Sequence, residues 1–92
     1  MKANEIYNRV LNSYQSSFVL NIEKYDDKII LRMPLYKIVQ ITYNKDNNNI
    51  YSIIMWNDTT NASRRFAKTI ENIKNKTPND VVTEIFNYLN LN

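Results

Sequence analysis

Phe18-Val19-Leu20-Asn21-Ile22-Glu23-Lys24-Tyr25-Asp26-Asp27-Lys28-Ile29-Ile30-Leu31-Arg32-Met33 alternates apolar and polar residues on both sides of an acidic pair. A period of two is the mark of a strand with one face buried. Phe18, Leu20 and Ile22 face one way, and Val19, Asn21 and Glu23 the other. Folding about Asp26-Asp27 sets Ile22 opposite Leu31 and Leu20 opposite Met33, so the two arms place their apolar sets on one face. The stretch is therefore read as an antiparallel hairpin, and the rest of the chain is read outward from it.

Upstream, Ile6, Tyr7, Val10, Leu11 and Tyr14 recur at helical spacing with Asn8, Arg9 and Asn12 opposite, which predicts an amphipathic helix over residues 1–14. Downstream, Pro34 interrupts the ladder and residues 36–43 resume it. The face of this strand depends on how many residues the Pro34-Leu35 connection holds, because a slip of one residue exchanges the two sides. Val39, Ile41 and Tyr43 are read as the inward set. Residues 44–49 form a polar turn in which asparagines can take left-handed conformations that glycine usually supplies. Residues 50–56 are almost wholly apolar, as expected of a strand covered on both faces. Two helices are expected to follow. The first is capped by Thr59 or Thr60 and carries the stripe Ala62, Phe66, Ile70 and Ile73. The second is announced by Thr77-Pro78-Asn79-Asp80 and carries Val81, Val82, Ile85, Phe86 and Leu89, with Ile85 and Phe86 expected in the core. The expected fold is α+β: an N-terminal helix, a four-stranded antiparallel β-meander and two C-terminal helices packed on the sheet, all in one domain spanning 1–92.

Composition removes many chemistries. The 92 residues contain no glycine, cysteine or histidine, whereas sixteen are asparagine. Lack of glycine excludes a glycine-rich phosphate loop. Without Cys or His, a nucleophile–imidazole pair and a soft metal site are excluded too. The nine acidic residues fall mostly in turns, caps and helix surfaces, with Asp26 and Asp27 the one adjacent pair that a carboxylate-only metal site would use. No catalytic residue, cofactor or metal is expected. The abundance of Asn, Ile, Tyr and Lys is what AT-rich codons produce, pointing to a low-GC genome or a mobile element within one. Met1-Lys2-Ala3-Asn4-Glu5 has no apolar signal-peptide core, so an intracellular location, the cytoplasm of a low-GC host, is expected. The sequons at Asn57, Asn61 and Asn75 are then by-products of asparagine abundance.

Net charge is only +3, with twelve basic residues interleaved among nine acidic ones. Two basic groups stand out. Arg64, Arg65 and Lys68 would make one face of the penultimate helix positive, with Glu71 set within it. Tyr25, Lys28 and Arg32 would share the outer face of the sheet with Asn21 and Glu23, joined by Lys37 if the proline connection is tight. Aromatic residues interleaved with cations on an open sheet can hold single-stranded nucleic acid. A third candidate is apolar: Val19, Ile30 and one set of the strand at 36–43 exceed what one core needs, and an exposed apolar strip marks a dimer or partner contact.

The helix followed by antiparallel strands, with Phe18-Val19-Leu20-Asn21-Ile22-Glu23-Lys24-Tyr25-Asp26-Asp27 at their start, loosely resembles the Alu-domain proteins of the signal recognition particle, which implies RNA binding on the sheet. Those proteins have three strands and more basic residues, and share no diagnostic motif with this chain. Trp56 leading into Ala62-Ser63-Arg64-Arg65-Phe66-Ala67 resembles the last strand and helix of pleckstrin-like domains, without the rest of that barrel. The leading expectation is a small non-enzymatic accessory protein of a phage or mobile element that occupies a surface of a host protein or nucleoprotein complex, as anti-defence inhibitors do. The alternatives are an RNA- or single-strand-binding module using the open sheet face, and a structural homodimer subunit; no membrane role is expected.

Overall fold

The computed structural model describes residues 1–13, 21–58 and 67–90. Its elements are α1 (Ala3–Ser13), β1 (Asn21–Lys24), β2 (Lys28–Arg32), β3 (Lys37–Tyr43), β4 (Ile50–Asn57), β5 (Lys68–Ile70), a 3₁₀ turn (Ile73–Asn75) and α2 (Pro78–Asn90). The chain is α+β, with one antiparallel sheet of order β1-β2-β3-β4-β5. Tyr14, Phe18, Val19, Leu20, Thr59, Thr60, Asn61, Ala62, Arg64, Arg65 and Phe66, on which several expectations rest, lie outside the described residues.

Directly opposed residues share a face. Ile22, Leu31, Val39, Met55 and Lys68 therefore form one row across all five strands, with Lys24, Ile29, Ile41, Ile53 and Ile70 beside it. Leu31, Val39, Met55, Ile29, Ile41, Ile53 and Ile70 are buried, and they pack with Ile6 and Val10 of α1 and Val81, Val82 and Ile85 of α2. Both described helices thus lie on the same side of the sheet. Pairing of Ile22 with Leu31 is as the sequence implies. So is the inward set Val39, Ile41 and Tyr43.

Two expectations are corrected. Ile70 and Ile73 do not share an α-helix: Lys68–Ile70 is a fifth strand paired with β4, Asn72 at φ 56° is left-handed, which no α-helix accommodates, and Ile73 opens the short 3₁₀ turn. The apolar edge of β4 offers unpaired backbone groups whose satisfaction outweighs a helical pattern of apolar residues. Ile70 opposite Ile53 then fills the core that the stripe was expected to fill. Second, β4 is not covered on both faces throughout. Tyr51 is exposed and Ile54 half-buried, whereas Trp56 is buried.

Asparagine substitutes for glycine in the β3–β4 connection. Asn48 has φ 64°, and its backbone N–H donates to the Asn44 carbonyl at 2.7 Å. The side chains of Asn44 and Asn47 accept the N–H groups of Asp46 and Asn49, local bonds that glycine cannot make. This loop also caps α1: the Asn48 carbonyl accepts the Ala3 N–H at 2.8 Å, and its Oδ1 accepts the Asn4 N–H at 2.9 Å. Arg9 ties the two helices by donating to Asn79 Oδ1 at 2.6 Å.

At α2, the Thr77 N–H donates to Asp80 Oδ2 at 3.1 Å and the Asp80 N–H to Thr77 Oγ1 at 3.2 Å, a reciprocal capping box. Ile85 is fully buried and Phe86 half-buried. The Thr77 backbone N–H, then the Thr77 side chain and Lys76, hold the Asp80 carboxyl below the usual aspartate range.

Both caps can be tested through stability. Asn48→Gly retains the left-handed backbone but removes the acceptor for Asn4, whereas Asn48→Ala loses both. The alanine variant should melt below the glycine variant, at a total cost of about 1–2 kcal/mol; equal melting of the two would show that the backbone conformation contributes nothing, and a glycine variant that melts with wild type would show the same of the cap. For α2, a depressed carboxyl contributes stability that is present above the ordinary aspartate pKa and is lost as pH falls through the folded value. Asp80→Asn should therefore lower the thermal midpoint at neutral pH. The gap to wild type should close below about pH 4, and a gap that persists at pH 2 would assign the effect to packing instead.

Candidate functional site

Between β2 and β3 the Met33 N–H donates to the Lys37 carbonyl at 2.8 Å and closes a link of three residues, Pro34, Leu35 and Tyr36. Leu35 and Tyr36 have φ 63° and 60°, so two consecutive bulky residues occupy the left-handed region. That conformation costs about 1–2 kcal/mol per residue for a side chain that cannot bond its own backbone. Elsewhere among the described residues, the chain places asparagine at positive φ, at Asn48 and Asn72. The choice of Leu and Tyr here is not explained by burial, because they are 64% and 69% exposed. β4 and the residue after it hold the strained tip in place: Asp58 N–H donates to the Tyr36 carbonyl at 2.8 Å, and Asn57 Nδ2 donates to the Leu35 carbonyl at 3.4 Å.

Beside the tip is a cleft of about 370 Å³. Met33, Leu35, Tyr36 and Ile38 give it apolar walls, Asn21, Arg32 and Asp58 give it a polar rim, and Lys37, whose ammonium is turned toward α2, also contributes to its lining. Arg32 stands between two carboxylates, with Nε 3.3 Å from Glu23 Oε1 and Nη1 3.9 Å from Asp58 Oδ2. Such partly exposed pairs add little stability, about 0–1 kcal/mol, but they neutralise the rim. On the outer face, Asn21, Arg32, Ile38 and Trp56 form one row across four strands. Ile38 and Trp56 are only 3% and 6% exposed, so the row is dry at one end and charged at the other.

Of the residues singled out in the sequence, Tyr25, Lys28 and Arg32 do share the outer face, and Lys28 Nζ lies 5.0 Å from the centre of the Tyr25 ring. Lys28 and Arg32 sit at opposite ends of β2, about 13 Å apart at the ordinary strand rise. Ile30 lies between them, opposite Glu23. Lys37 is not part of this face. A two-residue link would have put it beside Arg32, but the three-residue link aligns it with Met33 and carries it inward with Val39. There it is 7% exposed and donates to the Tyr88 and Leu89 carbonyls at 3.1 and 2.9 Å. A cation at those carbonyls satisfies the helix C-terminus and opposes its partial negative charge. The Nζ also lies 5.7 Å from the Tyr88 ring, and burial pushes the Tyr88 hydroxyl above its usual pKa.

Lys68 lies on β5, opposite Met55 and so on the helix-bearing side, rather than on a helix face with Arg64 and Arg65. It is therefore separated by the sheet from Lys28 and Arg32. Leu35, Tyr36, Asn57 and Asp58 are not among the binding residues that the sequence suggests. Their one local signal is Pro34 followed by two large residues where a left-handed turn would ordinarily require Asn or Gly. No protein-family model matches this chain, and neither a curated protein nor a solved structure matches it.

Strain at the tip can be measured as stability. Leu35→Asn and Tyr36→Asn keep the left-handed backbone with a residue suited to it. Each should raise stability by about 0.5–1 kcal/mol in urea unfolding, with the slope unchanged. A loss of stability would mean that these side chains hold the fold rather than serve a contact.

Proposed function

We propose that the chain is a non-enzymatic protein-binding module that acts stoichiometrically on a host macromolecular complex, in the manner of an anti-defence accessory protein of a phage or mobile element. The observation that carries the protein-binding part is the pair Leu35–Tyr36, exposed on a strained but well-pinned hairpin. Strain kept at exposed positions points to function rather than to folding. Tyrosine beside an arginine over an apolar cleft is also the composition in which protein contacts concentrate their binding energy. Asparagine-rich, glycine-free composition supports the low-GC origin, and the anti-defence role is an analogy of size and composition.

Electrostatics favours a protein partner over a nucleic acid. Arg32 is compensated by Glu23 and Asp58, and Lys37 serves α2. Lys28 is left at the far end of β2 from Arg32, which is a poor track for successive phosphates.

Fluorescence anisotropy with short single-stranded RNA and DNA distinguishes the two classes. Binding should be negligible near physiological salt, and a partner co-purified from a low-GC bacterial host should survive nuclease treatment. Micromolar or tighter binding that falls steeply with salt, and that weakens in the Lys28→Glu, Arg32→Glu double variant, would establish the nucleic-acid module instead.

A further inference from the structure

Among the described residues Lys37 is the one charged residue that is buried, and its bonds join two parts of the fold that are far apart in sequence. Its carbonyl accepts the Met33 N–H that closes the β2–β3 link, and the residue contributes to the cleft beside Tyr36. Its ammonium donates to the Tyr88 and Leu89 carbonyls in the last turn of α2. We infer that Lys37 is a latch coupling the β2–β3 tip to the end of α2, so that a change at either is felt at the other. The latch is a property of the free chain; only its use by a partner rests on the tip being a protein-contact surface.

An α-helix leaves its last carbonyls without partners inside the helix and carries a partial negative charge there. α2 has no basic residue in its last turn, so the cation it needs comes from β3. Packing holds the two ends of α2 unequally as well. Its buried side chains, Val81, Val82 and Ile85, all precede Phe86, whereas Phe86, Tyr88 and Leu89 are only partly buried against the core. A turn with few buried contacts is the part of a helix that opens first. Opening has a consequence at the tip. A buried ammonium that loses its acceptors is costly, so Lys37 cannot keep its place once the turn has left. Its side chain must turn, and the residue that turns lines the cleft and directly follows Tyr36. The docked and released turns are thus two states that both sites bias. By linkage, a partner that favours one arrangement of Lys37 at the tip shifts the turn, and a contact with the turn shifts affinity at the tip by the same factor.

Residue-resolved amide hydrogen exchange of the full chain tests the latch, with circular-dichroism melts to verify that each variant is folded. Lys37→Met keeps an apolar stem and removes the donors. It should speed exchange at the amides of Tyr88, Leu89 and Asn90 by about tenfold or more. Leu89→Pro approaches from the other side, because proline breaks the last turn without altering Lys37. It should speed exchange by about fivefold or more at the Met33 and Asp58 amides, which donate to the Lys37 and Tyr36 carbonyls at the tip. The Tyr43 amide, bonded to the Asp27 carbonyl at the far end of β3, should keep its wild-type rate in both variants. Unchanged rates at residues 88–90 in Lys37→Met, unchanged rates at Met33 and Asp58 in Leu89→Pro, or an equal acceleration at Tyr43 would each overturn the latch. None of those results touches the protein-binding reading of the tip, which falls instead with salt-sensitive RNA binding.

Discussion

The bond from the Met33 N–H to the Lys37 carbonyl closes a link of three residues, and the parity of that link decides which face most of β3 presents. An odd count sets Met33 opposite Lys37 and Leu31 opposite Val39, so Val39, Ile41 and Tyr43 reach the core. Lys37 is carried inward with them, and its ammonium finds the carbonyls of Tyr88 and Leu89 at the end of α2. The same parity turns Ile38 outward, between Arg32 and Trp56. One residue fewer would have exchanged every one of these positions. The hairpin tip is the place where this register costs something, since Leu35 and Tyr36 both stand at positive φ there.

A chain without glycine has few residues for such positions, and asparagine supplies them at Asn48 and Asn72. At Asn48 the substitution is more than tolerated, because the side chain and carbonyl together cap α1. The asparagine loop is thus a structural joint between helix and sheet. Against that background, two bulky side chains at the same backbone conformation are an exception within the molecule itself. A residue suited to the left-handed region would be the more stable choice at either position, and this is the observation on which the proposed protein contact rests.

Electrostatics separates the cations by task rather than gathering them. Lys37 serves a helix terminus, Arg32 is clasped by carboxylates, Lys24 lies 4.4 Å from the centre of the Tyr7 ring and Lys76 pairs with Glu84. These four cations are thus engaged at four separate places in the fold.

Much of the architecture could be read locally, because it rests on interactions between near neighbours. The first hairpin's register follows from alternation about Asp26-Asp27, α1 from the spacing of Ile6 and Val10, and the start of α2 from Thr77-Pro78-Asn79-Asp80, whose bonds close within one turn. Tertiary structure decided the rest. Ile70 and Ile73 suit a helix as well as a strand, and only the open edge of β4 chose the strand. Lys37 has the look of a surface cation until α2, some fifty residues later, offers its carbonyls at 2.9 and 3.1 Å. The candidate site was hidden for the same reason. Leu35 and Tyr36 become unusual only once the sheet's register imposes a left-handed backbone on them, and Asp58 belongs to the site only because β4 returns beside β3. Residue types and periods determine which elements can form. Which face each one presents, and which charges meet, depends on pairings between segments distant in sequence, and no local pattern records those.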